Sequence, residues 1–382
     1  MKINIPFISF PKFALFFTLI YFGVIIVWMW FDFPEAEKNS HIDYLGWSKE
    51  ASEDINKQVD VISKKLDLKD YWDEHWWHWW DLLAHAFYAY SLINIHLQDK
   101  SDLEFKNYAA KEIEKIYEFT ITDWKYNFRN QKTRIPYWII YQWNKNQILA
   151  SLVIIWKNEY KEKLYSNSDW LASELERSRE YSWESYEDLW WYVDNINTYY
   201  SLYLTDKIRQ NSWEPKKYDL LIKKWIFEMN KNIDWKWIIA AEAYSVWTWL
   251  NQSRWCAQSW VLSYLYELDK ESFDNQYELF NKYFFDEKMT LWLIRDVPKG
   301  ERLENLFPAW PSLFWYSSSA TALSLPLYKL TWDKYRFQKT LKTLEFLLSY
   351  DIEKWDYQSW KSTLLSSLLL WWKTHTAWWD KI

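Results

Sequence analysis

Three glycines in 382 residues leave this chain almost no position that can take a positive φ free of steric cost. A fold of this size needs such positions at tight turns and helix C-caps, and ordinary usage of about 7% would supply roughly 27 glycines. The same chain carries 34 tryptophans, and many stand where glycine is expected. Trp332 follows a helix-like run in Leu330-Thr331-Trp332-Asp333-Lys334, at the place of a C′ glycine. Trp190-Trp191, Trp247-Thr248-Trp249, Trp310-Pro311 and Trp371-Trp372 are odd as tryptophan and ordinary as glycine. We read most of them as glycine in the cell, because some bacterial lineages decode UGA as glycine and another translation table writes UGA as tryptophan. The competing account, a truly tryptophan-rich sugar-binding or interfacial protein, explains the excess of Trp but not the missing Gly.

Net charge is −6 with acidic and basic residues interleaved, so the basic stripe that nucleic-acid binding requires is missing and no nucleic-acid partner is expected. Cys256 is the single cysteine, which rules out an intrachain disulfide. Residues 13–31 form an uncharged, mostly apolar run just long enough to cross a bilayer. Lys2 and Lys12 precede it, and Asp32, Glu35 and Glu37 follow. That charge order places residues 1–12 in the cytoplasm, a single-pass anchor at 13–31, a linker at 32–48 and an extracytoplasmic domain over 49–382. A cleaved signal peptide is the alternative, and no small-x-small site precedes the acidic stretch.

From residue 49 the hydrophobic period is helical almost throughout. Helices are expected over 49–66, 81–98, 101–119, 143–156, 159–178, 191–205, 215–231, 238–250, 255–268, 271–284, 317–330, 333–350 and 360–372. A similar turn recurs at 97–100, 155–158, 204–207, 268–270 and 330–333, about 50–65 residues apart. That spacing exceeds the periods of tetratricopeptide and HEAT solenoids. About six αα-hairpins in an all-α, closed (α/α)6 toroid fit it, with an open right-handed solenoid as the alternative. The stretch from Phe285 to Phe314 is expected to be a long functional loop.

With Trp read as glycine, 254–259 becomes Arg-Gly-Cys-Ala-Gln-Ser ahead of a helix, and 292–298 becomes a Gly-x-x-Arg-acid-x-Pro loop. Residues 308–322 become Pro-Ala-Gly-Pro-Ser-Leu-Phe-Gly-Tyr followed by a Ser-rich helix start, and 185–195 ends in Gly-Gly-Tyr-Val-Asp-Asn. In that order the stretches, spread over about 70–350, resemble the linalool dehydratase-isomerase-like family. The resemblance implies an (α/α)6 toroid, the fold that six-hairpin glycosidases also use, and makes Asp194-Asn195 the family's helix-start pair. Two departures stand out. Leu306-Phe307-Pro308 replaces the acidic residues that relatives carry, and one cysteine is present where the isomerase chemistry is thought to use a pair.

Several side chains are candidates for chemistry. Asp194 is the leading acid or base and Glu184 its companion, within an acidic stretch that includes Glu187 and Asp188. Glycosidase-type chemistry needs two carboxyls across a cleft, though acids at a helix start also favour the macrodipole. Cys256, near Arg254 at an expected helix start, is a further catalytic candidate, with a small packed thiol as the plain alternative. Arg295 and Asp296 are candidates for clamping substrate, or for an ion pair that pins the loop. Tyr137, Tyr141 and Tyr316 are candidate cleft walls, or simply core, and Asn195 and His78 are placed at the substrate. His75, His78 and His85 with Asp81 would share one face of a continuous helix and could hold zinc; with glycines between them they become a loop, so no metal and no cofactor is expected. The expected function is an acid–base hydrolase or lyase on a carbohydrate or other small molecule. A dehydratase-isomerase of a small alcohol and a non-catalytic surface scaffold are the alternatives.

Overall fold

A computed structural model describes residues 42–67, 78–122, 138–185, 189–234, 236–240, 242–244, 255–288, 291–295, 298–300, 312–313, 316–347, 350–351, 356–357, 363–377 and 381. The expected anchor at 13–31 lies outside these residues. Among those described, no helix is long and apolar enough to cross a membrane.

The helices are of two kinds, and the difference is written in their burial. α1 (Lys49–Asp67), α3 (Leu103–Thr122), α5 (Lys161–Arg177), α7 (Asp219–Met229), α9 (Lys270–Tyr283) and α12 (Lys334–Leu347) alternate with α2 (His78–Gln98), α4 (Ile139–Ile154), α6 (Tyr192–Asn211), α8 (Trp255–Leu268), the pair α10 (Ser318–Leu323) and α11 (Leu325–Leu330), and α13 (Thr363–Thr374). α3 buries Ala109, Ala110, Ile113, Ile116, Tyr117 and Thr120, and α5 buries Leu164, Asn167, Ser168, Leu171, Ala172 and Leu175. Each set is one helical stripe, so these helices cover a surface. α4 is buried at nearly every position, the mark of a helix enclosed on all sides. Pro326 sits in the first turn of α11, where its missing N–H is harmless; continuing α10 through it would lose a hydrogen bond.

Packing follows a closed order. α2 touches α4, α4 touches α6, α6 touches α8, α8 touches α10 and α11, both of these touch α13, and α13 packs extensively on α2. Outside them α1 lies on α13, α3 on α2 and α4, α5 on α4 and α6, α7 on α6, α9 on α8, and α12 on α10 and α11. Neighbouring inner helices run parallel: Phe87 meets Trp371, and further along both helices Asn94 meets Thr374. Short turns (99–102, 155–160, 212–218, 269 and 331–333) lead from an inner helix to its outer partner. In the last but one, Asp269 caps α9 by accepting from the amides of Glu271 and Ser272. The connections to the next inner helix, 68–77, 123–138, 178–191, 230–254, 284–317 and 348–362, are much longer. Long connections are where function concentrates, and here they all lead to inner-helix N-termini.

The seam between first and last elements is a buried ionic cluster. Lys373 on α13 lies 3.1 Å from Glu345 on α12 and 3.3 Å from Asp54 on α1. Tyr44 donates to Asp54 at 2.6 Å, and Lys373 donates to the Tyr44 oxygen at 3.2 Å. Burial pushes Glu345 up to about 7 against the pull of Lys373. Removing one partner from such a cluster strands the others. Tyr44→Phe should therefore cost about 2 kcal/mol, read from the urea midpoint; an unchanged midpoint would show that the hydroxyl contributes nothing at the seam.

Among the described residues, seven non-glycine residues have positive φ, and five are tryptophans: Trp47 (53°), Trp156 (81°), Trp213 (60°), Trp237 (66°) and Trp332 (56°). Three follow helices in the same way. Trp156, Trp213 and Trp332 donate to the carbonyls of Val153, Gln210 and Lys329, and the next amides, Lys157, Glu214 and Asp333, reach Leu152, Arg209 and Tyr328. Those paired bonds are the Schellman motif, whose C′ position is usually glycine.

Three expectations are corrected. The turn expected at 204–207 lies inside α6, which runs on to Asn211, and the chain turns at 212–218 instead. A helix was expected over 238–250, yet Ile239 bridges to Ile233 and Glu242–Tyr244 is a strand, β2. The Ile239 amide donates to the Gln276 side chain and the Ala240 amide to the Asn232 carbonyl, so tertiary partners replace the helical ones. The stretch after residue 285, expected as a loop, contains β3 (Phe285–Lys288), β4 (Leu291–Arg295), β5 (Ser312–Leu313) and β6 (Tyr316–Ser317), in the antiparallel order β3-β4-β6-β5. A further hairpin joins β7 (Tyr350–Asp351) and β8 (Asp356–Tyr357).

Candidate functional site

The inner-helix N-termini carry most of the sequence candidates. α6 begins directly after β1 (Leu189–Trp191), which pairs antiparallel with β2 and fixes where the helix starts. Asp194 lies in the first turn of α6, where the helix dipole favours an anion. Burial opposes that and prevails: the carboxyl is pushed up to about 6, against the pull of the Ser185 and Trp143 side chains beside it. A carboxyl raised mainly by desolvation is suited to giving and taking a proton near neutral pH.

Asn195 has a structural task in this setting. Its side chain accepts from the Trp183 amide at 2.8 Å and donates to the carbonyls of Trp183 and Trp191 at 3.0 and 2.9 Å. The Ser185 hydroxyl accepts from the Trp191 amide, so the loop before α6 is pinned from both ends over Asp194. Asn195→Ala should remove three hydrogen bonds to the Trp183 and Trp191 backbone, cost about 1–3 kcal/mol and speed amide exchange across 183–191. Unchanged exchange there would mean the pin is not needed.

The other candidates scatter around this end. Tyr141 is buried beside Leu82, with Phe119, Trp138 and Ile140 around them. Glu184 is half-buried in the loop before β1. His85 has its Nδ1 2.8 Å from the Asp81 carbonyl, one turn earlier on α2. Arg295 on β4 and Tyr316 on β6 are directly paired in register, which joins two candidates that lie far apart in sequence. β4 packs on α10 and α12, so this sheet belongs to the same end of the helices. Cys256 lies in the first turn of α8, and His78 opens α2; their side chains and that of Tyr316, with Tyr137, Asp296, Glu187, Asp188 and His75, lie outside what the structure describes. Among described residues no group of three His, Cys, Asp or Glu could hold a metal.

Sequence reasoning missed the lumen. α2 and α8 stand opposite one another in the ring, yet Phe87 and Trp260 meet with ring centroids 5.6 Å apart. Trp371 on α13 lies 5.1 Å from Phe87 and 6.1 Å from Trp260. The three rings therefore fill the axis. Tyr90, 6.1 Å from Phe87, donates to Asn144, the neighbour of Trp143. A cleft of about 440 Å³ lies at the opposite, C-terminal end, between His96, Lys100, Asn158, Asn211 and the exposed Trp156. A second, of about 500 Å³, lies between Lys207, Asp219, Lys223 and Glu267.

No family model matches the chain, and no curated protein matches it. Among solved structures it is similar to one titled "Crystal structure of D-mannose isomerase", at 14% identity over 77% of this chain and 86% of that one, with a TM-score of 0.48.

Proposed function

We propose that the chain is an (α/α)6-toroid enzyme of hydrolase or lyase type, in which Asp194 moves a proton on a carbohydrate bound at the N-terminal end of the inner helices. The observation that carries this reading is the Asp194 carboxyl itself, buried at a helix start and pushed up to about 6. A carboxyl whose midpoint lies near 6 exchanges its proton easily around neutrality, and such groups cluster at active sites. Arg295 and Tyr316, brought into register at the same end, are the candidates for holding substrate hydroxyls. The test is turnover of a panel of oligosaccharides and aryl glycosides across pH 4–9. A limb near pH 6 that disappears in Asp194→Asn supports the reading, and a profile unaffected by that change removes Asp194 from the chemistry.

One observation favours a second reading. Phe87, Trp260 and Trp371 fill the axis of the ring, as expected of a scaffold that kept the helices and lost the chemistry. Failure of the whole panel, with the fold intact, would favour it. The dehydratase-isomerase alternative turns on Cys256, and loss of activity in Cys256→Ser is its test. The membrane anchor at 13–31, with the helical domain outside the cytoplasm, is part of the proposal. It is supported by the charge order around that segment and tested by protease access in intact cells.

A further inference from the structure

The middle of the ring holds polar atoms that a packed core does not leave alone. Among the described residues, the indole N–H of Trp260 is buried with no acceptor, and both ring nitrogens of His375, which packs on Trp371, are buried without a partner. Buried tryptophan N–H groups ordinarily find one, and each orphan costs about 1–3 kcal/mol. The backbone gives a separate signal in the same chain: five tryptophans hold positive φ, and three of them occupy the C′ position of a complete Schellman motif. Glycine satisfies the backbone at those turns, and glycine at 260 and 371 removes the rings that cross the axis. We propose that Trp260 and Trp371 are glycine in the protein its own host makes, and that the space opened between Phe87 and His375 is a chamber for a hydroxyl-bearing ring the size of a hexose.

The residues left around that space suit such a ligand. The His375 imidazole packs against the Trp371 indole, with centroids 4.8 Å apart, so with glycine at 371 it faces the opening. Burial, with Lys329 nearby, pushes that imidazole down to about 3. It is therefore neutral at working pH, with one nitrogen donating and the other accepting. Phe87 offers an apolar face across from it. A hexose presents both matching features, a C–H face and a rim of hydroxyls. An empty void of this size would cost about 24 cal/mol for each Å³, whereas a space with unpaired polar groups is filled by water or ligand. Glycine inside a helix costs about 1 kcal/mol and is kept where something must approach the backbone closely. Tyr90 and Asn144 link the chamber to Trp143, which lies against Asp194. The chamber deepens the enzyme reading and rests on it for the chemistry, but not for binding.

The test has two arms. Tryptic peptides Trp255–Lys270 and Ser362–Lys373 of host-made protein are weighed, together with Leu330–Lys334. Glycine at 332, 260 and 371 is expected. Tryptophan at 332 overturns the recoding, and glycine at 332 with tryptophan at 260 or 371 overturns the chamber alone. The full chain, with glycine at the positions the masses assign, is then titrated by calorimetry in detergent with indole, glucose, galactose and mannose. Saturable binding of indole and of an aldohexose, lost at least tenfold when Trp260 and Trp371 are restored, is expected. Binding of indole with no hexose overturns the ligand class, and binding of neither overturns the chamber. Because binding is read without turnover, the outcome for Asp194→Asn activity bears on the acid–base reading alone.

Discussion

Asp194→Asn should cut turnover by orders of magnitude and at the same time make the protein more stable at pH 7. The carboxyl titrates near 6 in the fold and at its ordinary value of 3.8 in the unfolded chain. Between about pH 4 and pH 6 the folded state therefore keeps a proton that the unfolded state has released, so stability falls as pH rises through that window and is lowest above it. A shift of about two units corresponds to about 3 kcal/mol, an upper estimate of what the neutral amide restores at pH 7. Turnover should fall by about 10²–10⁴, the usual contribution of a positioned acid or base. Urea unfolding of both proteins at pH 4, 5, 6 and 7 reads the stability half. The curves should converge at pH 4 and separate as pH rises. A variant less stable than the parent at pH 7 would show that the carboxylate is held by partners, as in a structural site. Gain of stability with loss of function is the pattern of a group strained for its task.

Asp194 was legible as an acid at a helix start, but its burial was not. Acids there are usually solvated, and this one is enclosed by Trp143 and by the preceding loop, which Asn195 and Ser185 hold in place. The hairpins were legible because each short turn lies within a few residues of the helices it joins. Ring closure was not, since it rests on contacts such as Lys373 with Asp54, from opposite ends of the domain. Strands of two to five residues give no usable period, which is why β3 to β6 read as a loop. The lumen was illegible for another reason. α2 and α13 are largely apolar all round, and α4 is buried on nearly every face, so periodicity cannot separate the face toward the axis from the face toward the outer layer. Phe87 and Trp260 looked like any other core residues, and Trp371, though it stood out as a glycine position, gave no sign of facing the axis.

Replacing Trp156, Trp213, Trp237 and Trp332 together by glycine should stabilise the recombinant protein by about 3 kcal/mol, although every replacement removes a large side chain. All four have exposed side chains, and Trp213 is 98% accessible, so little buried area is lost. The left-handed conformation costs an L-residue roughly 1–2 kcal/mol, and glycine's extra freedom in the unfolded chain returns about 0.5–1 kcal/mol of that. The net gain is close to 1 kcal/mol at 213, 237 and 332. It is smaller at 156, where Lys106 sits 4.0 Å over the indole and a cation–π contact of about 0.5–1 kcal/mol is lost. The control is the matching set of four alanines, which removes the same rings and keeps the backbone strain. Alanine should therefore change stability little while glycine raises it. Equal effects of the two sets would place the gain in losing exposed aromatic surface and not in the backbone. The comparison needs no host-made protein, because it asks whether this backbone calls for glycine at these turns.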